Sequence, residues 1–116
     1  MLDRLFAGGS LPSLEAMLRY ASARQKIIAA NIANVDTVGY RTRDLGEPDF
    51  RRALDQSLEP APSADAGPVK PGGNNVDLEL EMAKMVRNSA LHSTAAALLA
   101  QQFALLREAV AGHVIS

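Results

Sequence analysis

The side chains best suited to chemistry are two histidines and a run of acids, all in the second half of the chain. His92 and His113 fall within one helical pattern, where a rise of about 1.5 Å per residue separates them by about 32 Å. They are therefore too far apart to bind one metal ion within a subunit. Asp77, Glu79 and Glu81 could act as metal ligands or general acids, but they stand where the helical pattern begins, and the helix dipole stabilises carboxylates there. Since no cysteine, phosphate-binding glycine loop or nucleophile motif accompanies them, we expect no catalytic activity, no metal and no cofactor.

The composition favours helices. The chain has 116 residues, of which 47% are hydrophobic and only five are aromatic, which is typical of Ala/Leu-rich helices in a single domain. A formal net charge of −1 gives no electrostatic reason to expect nucleic-acid binding. The longest uninterrupted apolar run spans residues 95–100, far short of a bilayer, so we expect no direct membrane insertion.

The first helix is predicted over residues 11–35, after a flexible N-terminus at residues 1–10 that lacks the apolar core of a cleaved signal peptide. Pro12 suits the first turn of the helix, and Arg19, Arg24 and Lys26 are interpreted as a solvated or inter-subunit face. The apolar positions alternate steps of three and four, which predicts a coiled-coil-like seam formed by Leu11, Leu14, Leu18, Ala21, Gln25, Ile28, Ile32 and Val35.

The second helix is predicted over residues 77–112, with Asp77 as its N-cap. It would be about 54 Å long and the first helix about 35 Å, so an antiparallel hairpin leaves an exposed overhang that partner subunits would cover. We therefore predict an all-α fold: a long, coiled-coil-like hairpin of two antiparallel helices. The seam of the second helix is predicted at Leu78, Met82, Met85, Ser89, His92, Ala96, Leu99, Phe103, Leu106, Val110 and His113.

Between the helices lies a segment rich in proline and glycine. Residues 36–46 are predicted to form a turn, and residues 47–76 an irregular middle segment with a short helix near 48–58. Residues 59–73 contain too little apolar surface to offset the cost of ordering, so we expect a mobile loop there in the isolated chain.

The polar turn after the first helix is the most distinctive local pattern. Asn31 and Asn34 stand at the predicted helix end, where an amide can bind carbonyls that lack intrahelical partners. Thr37 can bond to the backbone nearby, and Gly39 allows a positive φ before Tyr40. An ordinary helix stop accounts for these features on physical grounds alone.

Residues 24–40 also resemble the N-terminal motif of the flagellar rod, hook and hook-associated axial proteins. Val38 stands where that motif usually has proline, which implies a less rigid turn. By this resemblance, the candidate subunit-interaction residues of the first motif are Asn31, Asn34, Thr37, Gly39 and Tyr40.

Later stretches are similar to one axial family in particular, the proximal rod proteins. These stretches are residues 73–78, Glu81 with Met82, and residues 98–107, so that the likeness covers residues 14–45 and 72–110. His92, where the family favours an aromatic residue, and the shortened middle segment depart from the pattern. The further candidates for subunit interaction are Asn75, Val76, Asp77, Leu99, Phe103 and Leu106.

The resemblance implies a structural subunit of the bacterial flagellar basal-body rod, part of the axial drive shaft that links the membrane ring to the distal rod and hook. The implied partners are other rod subunits, further copies of this chain in a helical assembly, the adaptor protein that joins rod to ring, and the flagellar type III export apparatus. The implied location is the periplasmic rod, reached without a cleaved signal peptide. The alternative is a helical adaptor or export-chaperone-like protein that binds a partner helix, which accounts for the heptads but not for the paired motifs.

Overall fold

The computed structural model describes residues 11–46, 49–52, 62–64 and 67–115, with side chains described as far as residue 112. Its elements are α1 (Leu11–Ala33), β1 (Arg43–Asp44), β2 (Ser63–Ala64) and α2 (Leu78–Ile115). The expected flexible N-terminus and residues 53–58 of the predicted short helix lie outside the described residues.

The two helices pack as an antiparallel hairpin, which confirms the predicted all-α fold class. The Asn31 side chain of α1 reaches Glu81 near the start of α2, and Gln25, further back along α1, reaches Ser89 further on in α2. Extending this register brings the first residue of α1 level with about Phe103. The remainder of α2 therefore projects beyond α1 as an overhang.

The seam predicted for α2 is correct only in part, because Met85, His92, Ala96 and Leu99 are half-buried whereas its fully buried line lies one residue earlier than predicted. Its fully buried positions are Glu81, Asn88 and Ala95, each one residue before a predicted seam position, whereas Leu78 and Met82 are exposed. The physical reason is polar pairing, because the Asn88 Nδ2 donates to the Ala21 carbonyl and to the Gln25 Oε1, at 2.7 Å in each case. These contacts rotate polar side chains into the interface and turn apolar ones outward. On α1, the predicted seam residues Leu14, Ala21 and Ile28 are buried, together with Met17 and Tyr20.

The middle segment folds back over one side of the hairpin. Tyr20, Leu45 and Phe50 form a buried cluster against Leu91 of α2, and the Tyr20 and Phe50 ring centroids are 5.1 Å apart at an interplanar angle of 58°, a tilted arrangement favoured by aromatic pairs. The Tyr20 hydroxyl donates to the Leu45 carbonyl at 3.1 Å. The segment is thus anchored to the helices rather than hanging free from them.

A short antiparallel bridge adds to this anchoring. Arg43 pairs with Ala64 and Asp44 with Ser63, so part of the stretch expected to be a mobile loop is paired with β1. Residues 49–52 form one helical turn within the predicted short helix. Among the described residues, no helix is both long and apolar enough to cross a membrane.

Candidate functional site

The polar turn that ends α1 is held by its own side chains. The Asn34 Nδ2 donates to the Ala30 carbonyl at 2.8 Å, which also accepts the Asn34 N–H at 3.1 Å, so this carbonyl in the last turn of α1 has two donors. The Thr37 hydroxyl donates to the Asn34 Oδ1 at 2.9 Å, and the Thr37 N–H donates to the Asn34 carbonyl at 3.0 Å. The first motif therefore has a defined geometry from α1 to Tyr40.

Two glycine segments then cross at close range. Gly39 has a φ of 77°, and its N–H donates to the Gly72 carbonyl at 2.8 Å. Gly73 has a φ of 84°, and a Cβ added there would lie 3.3 Å from the Gly39 Cα. Both positions need the left-handed conformation that glycine adopts without strain, and the crossing leaves little room for a side chain at Gly73.

Two consecutive asparagines bind the segment around Gly73 to the turn that contains Gly39. The Asn74 Nδ2 donates to the Asn34 carbonyl at 2.9 Å and to the Thr37 carbonyl at 2.6 Å. The Asn75 Oδ1 accepts the Thr42 N–H at 2.6 Å, and the Asn75 N–H donates to the Tyr40 carbonyl at 3.2 Å. Residues 31–45 and 72–81 thus form one structure, which we call the motif junction.

Asn31 is the centre of the motif junction. Its side chain is fully buried, and its Nδ2 donates to the Arg43 carbonyl at 2.7 Å and to the Glu81 Oε2 at 3.0 Å. Its Oδ1 accepts the Tyr40 hydroxyl at 2.9 Å and the Arg43 N–H at 3.2 Å. One amide therefore joins α1, the turn, β1 and α2.

A cluster of charges extends the motif junction along the hairpin. Arg24 donates to both carboxylate oxygens of Asp44, at 2.9 Å each, a two-point contact that fixes the direction of both groups. Lys84 lies 3.5 Å from Asp44 and 3.4 Å from Glu81. Arg24 is therefore a partner of β1, which corrects its interpretation as part of a solvated or inter-subunit face. Glu81 is buried, and its carboxylate accepts a hydrogen bond from Asn31. The helix dipole alone therefore does not explain why an acid stands at this position.

The ion pair shifts the pKa of both partners. Burial acts to raise the pKa of Asp44, but the Arg24 hydrogen bond and charge, the Leu45 N–H and the Lys84 charge outweigh it, so the pKa lies below its ordinary value. The Asp44 hydrogen bond raises the pKa of Arg24 against the opposing effect of burial. Both groups are held in their charged forms.

The structure brings together most, but not all, of the predicted site residues. Asn31, Asn34, Thr37, Gly39, Tyr40, Asn75 and Val76 meet in the motif junction, and the Asp77 Oδ1 accepts the Leu80 N–H at 3.2 Å as the α2 N-cap. Asn31, Asn75 and Val76 are buried within their own chain, so they cannot directly contact a neighbouring subunit. Leu99 is half-buried, and Phe103 and Leu106 lie exposed on the overhang, remote from the motif junction.

Several residues of the motif junction were not foreseen. Asn74 and Gly72 belong to a Gly-Gly-Asn-Asn run whose composition marks it as a turn, but composition does not reveal what that turn contacts. Thr42 and Asp44 carry no periodic signal, so only the fold identifies them.

Of the two histidines, only His92 has a side chain within the described part of the structure. His92 is half-buried in a shallow groove of about 450 Å³ between the helices, lined also by Ser22, Gln25, Lys26, Ser89 and Ser93. No three His, Asp or Glu side chains in the described ranges are arranged to hold a metal ion. The described side chains instead form hydrogen bonds and ion pairs that hold the two helices of the hairpin together.

Known proteins match both the first motif and most of the length of this chain. Residues 18–41 match the family model described as flagella basal body rod protein, which places the first motif in that class. The chain is 30% identical over 118 residues to flagellar basal body rod protein FlgB of Proteus mirabilis strain HI4320, covering 77% of this chain and 82% of the relative. Its identity to FlgB of Bacillus subtilis strain 168 is 28% over 99 residues, covering 69% and 76%. Its identity to FlgB of Aeromonas hydrophila is 27% over 119 residues, covering 83% and 88%.

The chain therefore belongs to the FlgB family of flagellar basal body rod proteins. The family assignment confirms the resemblance drawn from the two motifs.

Proposed function

We propose that this chain works in the proximal part of the flagellar rod, as one segment of the axial shaft that links the membrane ring to the distal rod and hook. Its family makes it a structural subunit of the basal body rod, and the proximal position and the periplasmic location are the steps we add. The proposal gives the chain no catalytic, metal-binding or cofactor-binding role.

The observation that carries the proposal is the motif junction. A subunit that transmits torque must not let its elements slide past each other, and here one buried amide and a two-point ion pair tie α1, β1 and α2 together. Long helices that are packed together and fixed in register at one end of the hairpin suit a stiff connector better than a binding module with an adaptable groove.

The proposed partners are other rod subunits, further copies of this chain and the adaptor protein between rod and ring. We propose that this chain reaches them through the flagellar export apparatus, without cleavage of a signal peptide. The exposed residues of the predicted site are the ones we propose to contact neighbouring subunits: Thr37, Gly39, Asp77, Phe103 and Leu106. Asn31, Asn75 and Val76 contribute by holding the accessible residues in place.

Electron cryotomography of cells that lack this chain tests the proposal. We expect the membrane ring to remain while rod, hook and filament are missing, and the wild-type chain supplied from a plasmid to restore all three. A complete rod in the deletion strain would refute the proposal and favour the alternative of a helical adaptor.

A further inference from the structure

One part of the middle segment lies across both helices without belonging to the motif junction. Asn31 binds both the N–H and the carbonyl of Arg43, so the chain is fixed to the helices as far as Arg43. The residues beyond that point contact α1 and α2 through side chains of their own. We call residues 44–46 and 49–52 the strap, and any movement of the strap has its hinge next to Arg43.

The strap covers apolar side chains of both helices. Leu45 and Phe50 of the strap are buried against Tyr20 of α1. The same cluster packs on partly buried apolar side chains of the two helices: Ala23, Ile27 and Leu91. The covered residues of α1 follow one another at steps of three and four, which places them on one face. Without the strap this face would be an exposed apolar surface of the kind that other proteins bind.

One carboxylate joins the strap to both helices by charge. Arg24 of α1 donates to both oxygens of Asp44 at 2.9 Å, and the Lys84 ammonium of α2 lies 3.5 Å from the Asp44 Oδ2. The Asp44 Oδ1 also accepts the Leu45 N–H at 2.8 Å, which orients the carboxylate. Lys84 lies 3.4 Å from Glu81 as well, so it keeps an ion-pair partner when Asp44 moves away.

The contacts that fix the register of the hairpin lie outside the strap. Asn31 binds Glu81, and Asn88 binds Gln25, and all four side chains belong to the helices. The strap buries two side chains, whereas α1 buries six. Segments with fewer buried groups open at a lower free-energy cost than the elements they cover. The strap can therefore open while the hairpin stays folded.

We propose that the strap is a lid that opens and closes as a unit over the folded hairpin, and that Asp44 is the latch that holds it shut. In the closed state, the strap keeps the apolar face of Tyr20, Ala23 and Ile27 out of reach of other chains. The strap is thus an autoinhibitory contact built into the fold. This inference concerns the free chain and does not rest on the proposed function.

Cysteine labelling tests the inference, because the natural chain contains no cysteine. Leu45→Cys places a thiol under the strap, and Ala95→Cys places one between the helices, at positions that are 1% and 0% exposed. Each thiol reacts with a maleimide only when the structure around it opens. We expect Leu45→Cys to be labelled faster than Ala95→Cys. Adding Asp44→Asn should speed labelling at Leu45→Cys about tenfold or more, as expected for losing a charged hydrogen bond, and leave Ala95→Cys unchanged.

The matched control is Asp49→Asn, which removes the same charge from the same segment. The Asp49 carboxylate lies 4.0 Å from Arg52 in the same turn and accepts the Ser63 hydroxyl at 3.3 Å, so these contacts do not reach either helix. We expect Asp49→Asn to leave the labelling rate of Leu45→Cys unchanged.

Three results would overturn the inference. Equal labelling rates for Leu45→Cys and Ala95→Cys would show that the strap opens only when the whole hairpin does. An unchanged rate at Leu45→Cys after Asp44→Asn would show that Asp44 is not the latch. Equal acceleration by Asp49→Asn and Asp44→Asn would show that the effect comes from net charge rather than from the contacts with the helices.

A second thiol position keeps the test decisive if Leu45→Cys itself loosens the strap and is labelled at once. Ile27→Cys lies on the covered face of α1 and leaves the side chains of the strap unchanged. Its labelling should accelerate with Asp44→Asn and stay the same with Asp49→Asn. No acceleration with Asp44→Asn would show that the strap does not control access to this face.

Discussion

Replacing Asn31 by alanine should be among the most damaging single changes in the chain. The substitution removes two donated and two accepted hydrogen bonds at a fully buried position. It leaves the buried Glu81 carboxylate without its amide donor, and it removes the side-chain partner of the Arg43 N–H and carbonyl. Water can reach the half-buried Tyr40 hydroxyl, so that loss is partly compensated.

The magnitude follows from the kinds of bond that are lost. A hydrogen bond to a charged group contributes about 1.5–3 kcal/mol, and an ordinary one about 0.5–1.5 kcal/mol. One bond of the first kind and two or three of the second give an expected loss of about 2.5–7.5 kcal/mol. The whole stability of a domain is typically about 5–15 kcal/mol, so the variant should be close to unfolding.

Urea unfolding followed by far-UV circular dichroism measures this loss, with the slope of the transition compared between variants. The matched control is Asn34→Ala, which lies one helical turn later and removes only the contacts to Ala30 and Thr37 within the turn. We expect it to cost about 1 kcal/mol. Equal losses from the two variants would refute the central position that we assign to Asn31. If the wild-type chain is too unstable to give a baseline, sulfate stabilises all variants together.

Three further predictions concern the same junction. Gly39→Val should reduce incorporation into rods, measured in isolated basal bodies, more than it lowers the helicity of the free chain. The reason is that the φ of 77° at this position strains a branched residue. Equal losses of incorporation and of helicity would indicate a role in folding alone. Gly73→Ala should lower the urea midpoint more than Gly72→Ala, because both glycines have a positive φ but only a Cβ at Gly73 would lie 3.3 Å from the Gly39 Cα. Matching midpoints for the two variants would contradict the close crossing. The pKa of Asp44 is lowered in the folded chain, so its ion pair should stabilise the fold fully above the ordinary pKa of 3.8 and progressively less as the pH falls below that value. Asp44→Asn should remove this part of the pH dependence of stability, measured by urea titrations at several pH values. An unchanged pH profile in the variant would argue against the ion pair.

The sequence predicted the two helices, though not the β1–β2 bridge, because the signals for the helices are local. Heptad spacing predicted both helices and their antiparallel pairing, and α2 begins directly after its predicted cap, Asp77. The stop after α1 also carried a local signal in Asn31, Asn34 and Gly39. Each of these inferences needs only neighbours a few residues away.

The contacts of the motif junction were not predictable in the same way. Asn74 and Thr37 are separated by a long stretch rich in proline and glycine, and no periodicity connects them. The seam of α2 was misassigned because hydrophobicity favoured Leu78 and Met82, whereas Glu81 and Asn88 are buried. Polar residues are rarely buried without partners, and the partners in this case, Asn31 and the Ala21 carbonyl, lie on the other helix.

The polar side chains buried between α1 and α2 fix the register of the hairpin. Ala- and Leu-rich heptads can slide by a whole repeat at modest cost, and one polar layer is enough to fix a register. Here Asn31 with Glu81 and Asn88 with Gln25 provide two such layers, and any slip would leave buried polar groups without partners. The hairpin is thereby restricted to one register, which fixes how far the overhang projects beyond α1.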